Sequence, residues 1–299
     1  MLGVTPRLQR MPQRIVSLVP SLTEVLFAFG LGARLVGVTD YCTEPQPEVR
    51  SKPTVGGTKN PDIEAILQLK PDLVVANVEE NRRQDVESLQ SRGISVFVCF
   101  PRTVGEALMT LRALAQATGA ESQAAPVSER LGVAYGEILR LAAPRRKVRV
   151  FCPIWKDPWM TINRDTFIHD VLETCGGANV FAERERRFPL AADLGERPGW
   201  DSSRVGGRDR RYPRVTLEEM TALSPEVILL PSEPYRFSAA DRDDLARLDR
   251  VPAVRDGRIF LVDGKDVCWY WSRMDESLRA MHELFQAVEG DGGNWEGGS

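Results

Sequence analysis

Two stretches of the chain have similar sequences, and this internal repeat constrains the fold more than any other feature. Residues 62–79 read DIEAILQLKPDLVVANVE, and residues 216–233 read TLEEMTALSPEVILLPSE. Each copy begins with a residue that can cap a helix, continues as a short amphipathic helix stopped by a proline, and ends as a strand followed by a glutamate. The copies lie 154 residues apart, which is too far for a solenoid and suits two related lobes. The repeat therefore predicts two similar α/β lobes, and a cleft between such lobes can hold a ligand.

The composition excludes several classes of function. Of the 299 residues, 42% are hydrophobic and 27% are charged, as in ordinary globular proteins that bury a large core. The net charge of −3 gives no reason to expect nucleic acid or an anionic membrane as a partner. No run approaches the roughly 18 apolar residues of a membrane-spanning helix. The N-terminus lacks the basic start and apolar stretch of a secretory signal.

Strand and helix patterns alternate along the chain in two series. The first series starts with the strand RIVSLV at 14–19, after which Ser21 and Glu24 have the spacing of a capping box at the start of a helix. Alternation of this kind is typical of parallel sheets with helices on both faces. The fold class that we predict is therefore α/β, with two doubly wound lobes of mainly parallel sheet, a long backbone helix that joins them, and a ligand cleft between them.

The predicted parts follow from where the strand signals stop and resume. They are, in chain order, an N-terminal α/β lobe (14–102), a connecting backbone helix (103–144), a C-terminal α/β lobe (145–288) with a long Arg-rich loop (181–215), and a disordered tail (289–299). Glycines and Pro126 predict a break or kink between Gly119 and Pro126. A helical connection of this length would make the link between the lobes stiff.

Four motifs in their order carry a resemblance to a known family. The segments RIVSLVPSLTE, LVGVTDYCTEP, LKPDLVVA and VLETCGGANVF together resemble the class III periplasmic substrate-binding proteins of ABC importers, above all the cobalamin-binding members. The resemblance covers about residues 14–288. It implies two α/β lobes, a ligand held between them, little closure on binding, and ligands such as cobalamin, haem or iron–siderophore complexes. Tyr41, Trp159 and Trp269 match aromatic ligand positions of the family, whereas Asn77 stands where the resembled members have a tryptophan.

Aromatic residues follow several of the predicted strands. Because doubly wound sheets place ligands outside the carboxyl ends of their strands, such residues are candidate ligand contacts. A large, flat macrocycle such as cobalamin would be held mainly by apolar and aromatic contact. About half of these aromatics are expected in a core or at a rim instead. The predicted contacts are Tyr41, Trp155, Trp159, Tyr235, Trp269, Tyr270 and Trp271, and Phe237 lies in the same pattern.

Other ligands stay open at this point. A haem could take Tyr41 or Tyr270 as an axial ligand, and an anionic ferric siderophore could be held by the arginines at 184–187 and 208–214. The acidic residues interleaved with these arginines favour self-neutralising surface pairs. A bare metal site is disfavoured because the chain has only two histidines, His169 and His282.

The sequence gives little support to an enzyme. It contains no GxSxG elbow, P-loop or HExxH motif, so we predict no catalytic residue, no resident metal and no catalytic cofactor. A nitrogenase-like oxidoreductase subunit with a metal cluster would need cysteines at strand ends, and only Cys42 and Cys152 are so placed. A corrinoid carrier or regulator inside the cell is a third possibility, favoured only by the missing secretory signal.

The repeat also predicts a docking surface. Glu79 and Glu233 are equivalent in the two copies, and Glu80 adjoins the first. The resemblance implies that one glutamate per lobe contacts arginines of a two-subunit permease, which works with ATPase subunits. In the first lobe the family glutamate aligns nearer Arg83, so Glu79 or Glu80 would have to make this contact instead. Solvated carboxylates at loop starts are the alternative. The resemblance further implies a monomer in the periplasm or at the cell surface, whereas the chain as written, without a signal, would be cytoplasmic.

Overall fold

The computed structural model describes residues 10–270 and 272–290 of the chain. Two compact units make up the fold, each with its own sheet. Of the described residues, the N-terminal unit comprises 10–133 with 270 and 272–275, and the C-terminal unit comprises 134–269 with 276–290. Both sheets are parallel and carry helices, so the predicted α/β class with two doubly wound lobes is confirmed. In the part of the chain that is described, no helix is both long and apolar enough to span a membrane.

The N-terminal unit is built on a four-stranded parallel sheet in the order β2-β1-β3-β4. Its interior strands carry almost only buried apolar residues, as is expected when helices cover both faces of a sheet. The strands are β1 (Ile15–Ser17), β2 (Leu35–Val38), β3 (Leu73–Asn77) and β4 (Val96–Cys99). The helices are α1 (Pro20–Ala28), α2 (Ile63–Gln68), α3 (Arg83–Ser91), α4 (Val104–Thr118) and α5 (Glu121–Ala142), with short 3₁₀ turns at Gly32–Arg34 and Glu48–Ser51.

The C-terminal unit has a second parallel sheet, in the order β10-β9-β5-β8, and a small antiparallel pair β6-β7. Its strands are β5 (Val148–Phe151), β6 (Pro153–Trp155), β7 (Met160–Thr161), β8 (Gly177–Asn179), β9 (Val227–Pro231) and β10 (Ile259–Val262). Its helices are α6 (Phe167–Cys175), α7 (Leu190–Asp193), α8 (Ser202–Val205), α9 (Leu217–Leu223), α10 (Ala239–Leu245), α11 (Pro252–Arg255), α12 (Gly264–Cys268) and α13 (Met274–Glu289).

The sequence repeat corresponds to equivalent elements in the two sheets. Asp62 caps α2 by accepting a hydrogen bond from the backbone N–H of Ala65, and Thr216 caps α9 through the N–H of Glu219. The strands that follow, β3 and β9, are interior strands in which all five residues are buried. The same local signals therefore build the same helix–strand unit twice.

The helical connection consists of two helices. Gly119 ends α4 with a left-handed backbone, φ +63°, which glycine adopts at little steric cost. Pro126 lies inside α5 and does not end it. The division between the two units falls within α5 and again within α13.

The predicted capping box at the start of α1 is wrong. The helix begins at Pro20, two residues earlier than the box requires, and its N-cap Val19 has no side chain that can accept a hydrogen bond. Ser21 therefore lies inside the first turn, and its hydroxyl has no hydrogen-bond partner among the described residues. Glu24 forms an ion pair with Arg273, with Nε and Oε2 3.1 Å apart. That ion pair helps to explain why residues 270–275 belong to the N-terminal unit although they follow the second series of strands.

The segment 181–215 is more ordered than the predicted loop. It contains α7 and α8 and is organised by the fully buried carboxylate of Asp193. Asp193 accepts hydrogen bonds from the Arg184 guanidinium at 3.0 Å and from the backbone N–H groups of Arg187 at 2.9 Å and Arg214 at 2.8 Å. One buried charge, paired and hydrogen-bonded, thus ties together three distant points of the segment. Of the predicted tail, Glu289 ends α13, and positions 291–299 lie outside the described residues.

We expect Asp193→Ala to destabilise the C-terminal unit strongly. The substitution leaves the Arg184 guanidinium and two backbone N–H groups without their shared acceptor, and breaking a buried charged pair costs about 3–5 kcal/mol. The free energy of unfolding is measured by urea denaturation followed by circular dichroism. Asp201→Ala serves as the control because that aspartate is exposed and caps only the four-residue α8, so its effect should be much smaller. Equal effects of the two substitutions would contradict this role of Asp193.

Candidate functional site

The loops that carry the predicted contact residues leave the carboxyl ends of the strands in each sheet. In the N-terminal unit, Tyr41 follows β2 and Glu79 follows β3. In the C-terminal unit, Trp155 ends the short strand β6 that comes after β5, Tyr235 follows β9, and Trp269 follows β10 by way of α12. Parallel pairing places the carboxyl ends of neighbouring strands at one edge of their sheet. Trp271 lies outside the described residues.

Four aromatic side chains of the C-terminal unit form a continuous series of ring contacts. Trp155 and Tyr235 meet edge to face at 5.5 Å between centroids, and Tyr235 and Phe237 lie 4.7 Å apart. Phe237 stacks on Trp159 at 5.8 Å with an interplanar angle of 9°. Offset and edge-to-face geometries of this kind are the favourable ones for aromatic pairs. The structure thus brings together three of the predicted residues, Trp155, Trp159 and Tyr235, with Phe237 joining them.

The two tryptophans of this series have different environments. Trp159 packs on Phe237 and against the core residue Phe151, and the Lys156 ammonium lies 5.7 Å from its ring centroid. Trp155 keeps 44% of its surface exposed. Much of the Trp159 ring is therefore occupied by the protein itself, and Trp155 offers the larger free aromatic surface.

Lys156 connects the aromatic series to an ion-pair network. Its ammonium lies 2.7 Å from Asp241 and 2.9 Å from Asp244, and these two hydrogen bonds raise the pKa of Lys156 above its ordinary value. Burial raises the pKa of Asp241, but the hydrogen bonds from Lys156 and Ser238 outweigh that effect, and the pKa lies below the usual range. Both groups are therefore charged near neutral pH, and Lys156 is held beside Trp159.

Trp269 is held by a hydrogen bond to one of the repeat glutamates. Its indole Nε1–H donates to Glu233 Oε2 at 2.9 Å, and the Lys265 ammonium lies 5.1 Å from its ring centroid. Trp269 is only 9% exposed. Gly264 allows the close approach, since a Cβ at that position would lie 2.4 Å from the backbone N of Glu233. A larger residue there would force the loop after β9 away from α12.

Tyr270 makes the corresponding hydrogen bond in the N-terminal unit. Its hydroxyl donates to Glu79 Oε2 at 3.1 Å, and the ring is 4% exposed. Asn77, at the position where the resembled family members carry tryptophan, accepts a hydrogen bond from the N–H of Glu79 at 2.6 Å and so fixes the turn after β3. Lys59 donates to the carbonyl of Glu79. Tyr41, by contrast, is 63% exposed.

The repeat glutamates therefore have partners that the sequence reasoning missed. Glu79 and Glu233 are both half-buried, and each accepts a hydrogen bond from an aromatic side chain within its own unit. Glu80 is half-buried as well. The repeat shows that the two positions are equivalent, but no local signal indicates donors that lie 191 and 36 residues further along the chain. Their role in docking stays a prediction.

The cysteines at strand ends are in environments that disfavour thiolate chemistry. Burial raises the pKa of Cys99 and of Cys152 to about 12, and burial also raises the pKa of Cys42, whose sulfur lies beside the hydroxyls of Thr23 and Thr39. Within residues 10–270 and 272–290, no three His, Cys, Asp or Glu side chains are grouped so that they could hold a metal ion. Buried thiols of this kind are packing residues.

Many arginines of segment 181–215 are paired with carboxylates, as the interleaved acidic residues indicated. Arg184 contacts Asp193 at 3.0 Å and Glu219 at 2.8 Å. Arg210 contacts Glu185 at 2.5 Å, and Arg211 contacts Asp209 at 2.7 Å. These guanidinium groups are occupied within the protein, which weakens the case for an anionic siderophore held by the whole cluster.

Comparison with known proteins agrees with this architecture. Residues 15–265 match the family model described as periplasmic binding protein. The chain is 34% identical over 217 residues to a vitamin B12-binding protein of Salmonella choleraesuis, an alignment that covers 73% of this chain and 71% of that protein.

Two solved structures share the fold over most of their length. A periplasmic vitamin B12-binding protein of Vibrio cholerae superposes with a TM-score of 0.76 at 21% identity, covering 94% of this chain and 99% of that one. A periplasmic haem-binding protein from Roseiflexus sp. RS-1 gives a TM-score of 0.75 at 20% identity, covering 93% and 99%. The family and these relatives are binding proteins and not enzymes. The chain belongs to the periplasmic binding protein family.

Proposed function

We propose that this protein is the substrate-binding protein of an ABC importer and that its ligand is a cobalamin-type corrinoid. The observation that carries the ligand class is the 34% identity, over 73% of this chain, to a protein named for binding vitamin B12. The aromatic residues that follow β5, β9 and β10 support it, since a corrin ring is large, flat and held mainly by apolar and aromatic contact.

The proposed contact residues differ in how much ring surface they expose to a ligand. Trp155 and Tyr41 expose the most ring surface and would pack against the ligand directly. Tyr235 lies beside Trp155 and extends that surface. Trp269 and Tyr270 are largely buried and hydrogen-bonded to glutamates, so they would present a ring edge whose orientation is fixed before the ligand arrives. A site held in place in this way loses less conformational entropy on binding.

Haem is the second candidate. The solved haem-binding relative shares the fold, and the exposed Tyr41 hydroxyl could serve as an axial ligand. Tyr270 is less suitable because its hydroxyl already donates to Glu79. For an iron–siderophore complex, the pairing of Arg184, Arg210 and Arg211 with carboxylates removes much of the expected positive charge.

The same proposal includes the partners. A monomer would deliver its ligand to a permease dimer with ATPase subunits, in the periplasm or at the cell surface. The equivalence of Glu79 and Glu233 supports this, since two equivalent carboxylates suit a partner with two-fold symmetry.

The ligand is tested by titration calorimetry of the purified protein with cyanocobalamin, hemin and a ferric hydroxamate siderophore. We expect saturable 1:1 binding of the corrinoid, with hemin binding at least about tenfold more weakly, a difference of about 1.4 kcal/mol. Absence of corrinoid binding together with tight binding of hemin or of the siderophore would replace the proposed ligand.

We expect Trp155→Ala to weaken corrinoid binding by about 1–3 kcal/mol, because the variant loses an exposed indole that packs on the ring. The measurement is the same titration, in which Kd should rise roughly 5- to 150-fold. Trp200→Ala is the control, since Trp200 is also partly exposed but belongs to segment 181–215. Unchanged affinity in Trp155→Ala, or an equal loss in the control, would remove Trp155 from the site.

Docking is tested with the double variant Glu79→Gln/Glu233→Gln. Glutamine keeps an acceptor oxygen for Tyr270 and Trp269 and removes only the charge, so the charge-assisted contacts with permease arginines should be lost. We expect ligand-stimulated ATPase activity of the reconstituted transporter to fall at least about tenfold, as loss of about 1.4 kcal/mol or more implies.

The assay uses saturating ligand, so that altered ligand affinity does not enter the result. The control Glu87→Gln/Glu283→Gln removes one exposed carboxylate on α3 and one on α13. Stimulation of normal size in the first double variant would mean that Glu79 and Glu233 act on the aromatic residues alone.

A further inference from the structure

Three arginines of segment 181–215 are held against one pair of aromatic rings. We call this group, Arg186, Phe188, Trp200, Arg204 and Arg208, the arginine–aromatic cluster. We propose that it is a second binding site, specific for a small soluble oxyanion with two or more negative charges, such as a diphosphate or a tricarboxylate. The inference does not rest on the identity of the main ligand.

The ring pair at the centre of the cluster is fixed in place. Phe188 and Trp200 stack with centroids 6.3 Å apart and planes within 19°. The backbone N–H of Trp200 donates to the carbonyl of Phe188 at 2.8 Å. Phe188 is buried, and Trp200 is partly exposed. The two rings therefore form a preformed platform, and their position does not depend on a ligand.

Each of the three guanidinium groups lies near one or both rings of the pair. The Cζ atom of Arg186 is 4.7 Å from the Phe188 centroid, and that of Arg204 is 4.4 Å from the Trp200 centroid. Arg208 reaches both rings, at 5.6 Å and 5.7 Å. These distances are those of cation–π contacts. A guanidinium that contacts a ring through its carbon keeps N–H groups at its edge that can donate to an oxyanion.

The backbone also holds Arg186 in position. Its N–H donates to the carbonyl of Arg210 at 2.9 Å, and the Arg210 side chain donates back to the carbonyl of Arg186 at 3.4 Å. The buried carboxylate of Asp193 accepts a hydrogen bond from the backbone N–H of Arg187, the residue after Arg186. The cluster is therefore part of an ordered structure, and fewer degrees of freedom are lost when an anion binds.

The three arginines of the cluster form no ion pair with a described carboxylate, whereas several other arginines of the segment do. Arg184, Arg210 and Arg211 each form an ion pair with a carboxylate. For Arg186, Arg204 and Arg208, no carboxylate lies within ion-pair distance in the described part of the chain.

Two carboxylates lie in the vicinity, and both have other partners. Burial raises the pKa of Asp209, but the hydrogen bonds from the Arg211 guanidinium and backbone N–H outweigh that effect, and the charge of Arg186 adds a smaller lowering contribution. Asp201 accepts from the backbone N–H of Arg204 and from the Ser203 hydroxyl. Segment 181–215 as a whole has nine arginines and six acidic residues, and the cluster contributes three of the positive charges.

The arrangement selects a multivalent anion. Arg208 shares Phe188 with Arg186 and Trp200 with Arg204. An anion that contacts Arg208 and one of these neighbours reduces the repulsion between their like charges and accepts charge-assisted hydrogen bonds from both. A monovalent ion such as chloride or acetate can satisfy only one of them at a time. Because Arg204 and Arg208 are exposed, binding should be sensitive to salt.

The test is calorimetric titration of the full-length protein with inorganic pyrophosphate and with citrate in a buffer of low ionic strength. We expect saturable 1:1 binding of at least one of the two. In Arg204→Gln/Arg208→Gln the affinity should fall at least about tenfold, because two of the three guanidinium groups of the cluster are removed. Adding sodium chloride to about 0.5 M should weaken binding by a similar factor.

The control Arg242→Gln/Arg247→Gln removes two exposed arginines from α10 and from the residues just after it, with the same change in net charge, and should bind as the unmodified protein does. Equal losses in the two double variants would show a general charge effect and overturn the site. A third arm uses phosphatidylglycerol vesicles. Binding to these vesicles without measurable binding of either soluble anion would also overturn the proposal, in favour of a lipid surface.

Discussion

Parallel strand pairing is the constraint on which the rest of each unit depends. Strands that run in one direction need crossover helices, and all their carboxyl ends then meet at one edge of the sheet. In the C-terminal unit this places the segments after β5 and β9 side by side, and Trp155, Tyr235, Phe237 and Trp159 come into contact although 80 residues separate the two segments. No local preference of these residues would bring them together. The aromatic series is a consequence of sheet topology.

The repeat glutamates show how one position can serve a structural need inside its unit. A half-buried carboxylate loses hydrogen bonds to water and needs hydrogen bonds within the protein to replace them. Glu233 accepts such a hydrogen bond from the indole N–H of Trp269, and Glu79 accepts one from the phenol hydroxyl of Tyr270. Both arrangements orient an aromatic ring and leave further acceptor capacity on the carboxylate. Positioning a ring and contacting an outside cation are therefore compatible roles for the same side chain.

The sequence predicted what depends on local chemistry and missed what depends on the tertiary structure. The helix–strand unit of the repeat was predictable because its cap, apolar spacing and proline stop lie within 18 residues. The capping box at Ser21 was wrong because Pro20 already suits the first helical position, so that the helix starts two residues early. The aromatic residues after the strands were predictable as a set. Their partners were not, since Trp159 stacks on Phe237 and Trp269 bonds to Glu233 through contacts that only the folded chain creates.

Segment 181–215 is the clearest case of tertiary context deciding the outcome. Its composition indicated a loop, because arginine, glycine and proline without periodicity give no signal for a packed element. The structure orders it around a single buried carboxylate, Asp193, which three donors share. In this arrangement the Arg184 guanidinium is paired with Asp193, and the buried ring of Phe188 contacts Arg186 and Arg208. The division of the arginines into a neutralised group and a cationic group thus follows from which of them reach a carboxylate when the segment folds, and a count of charges along the sequence could not reveal it.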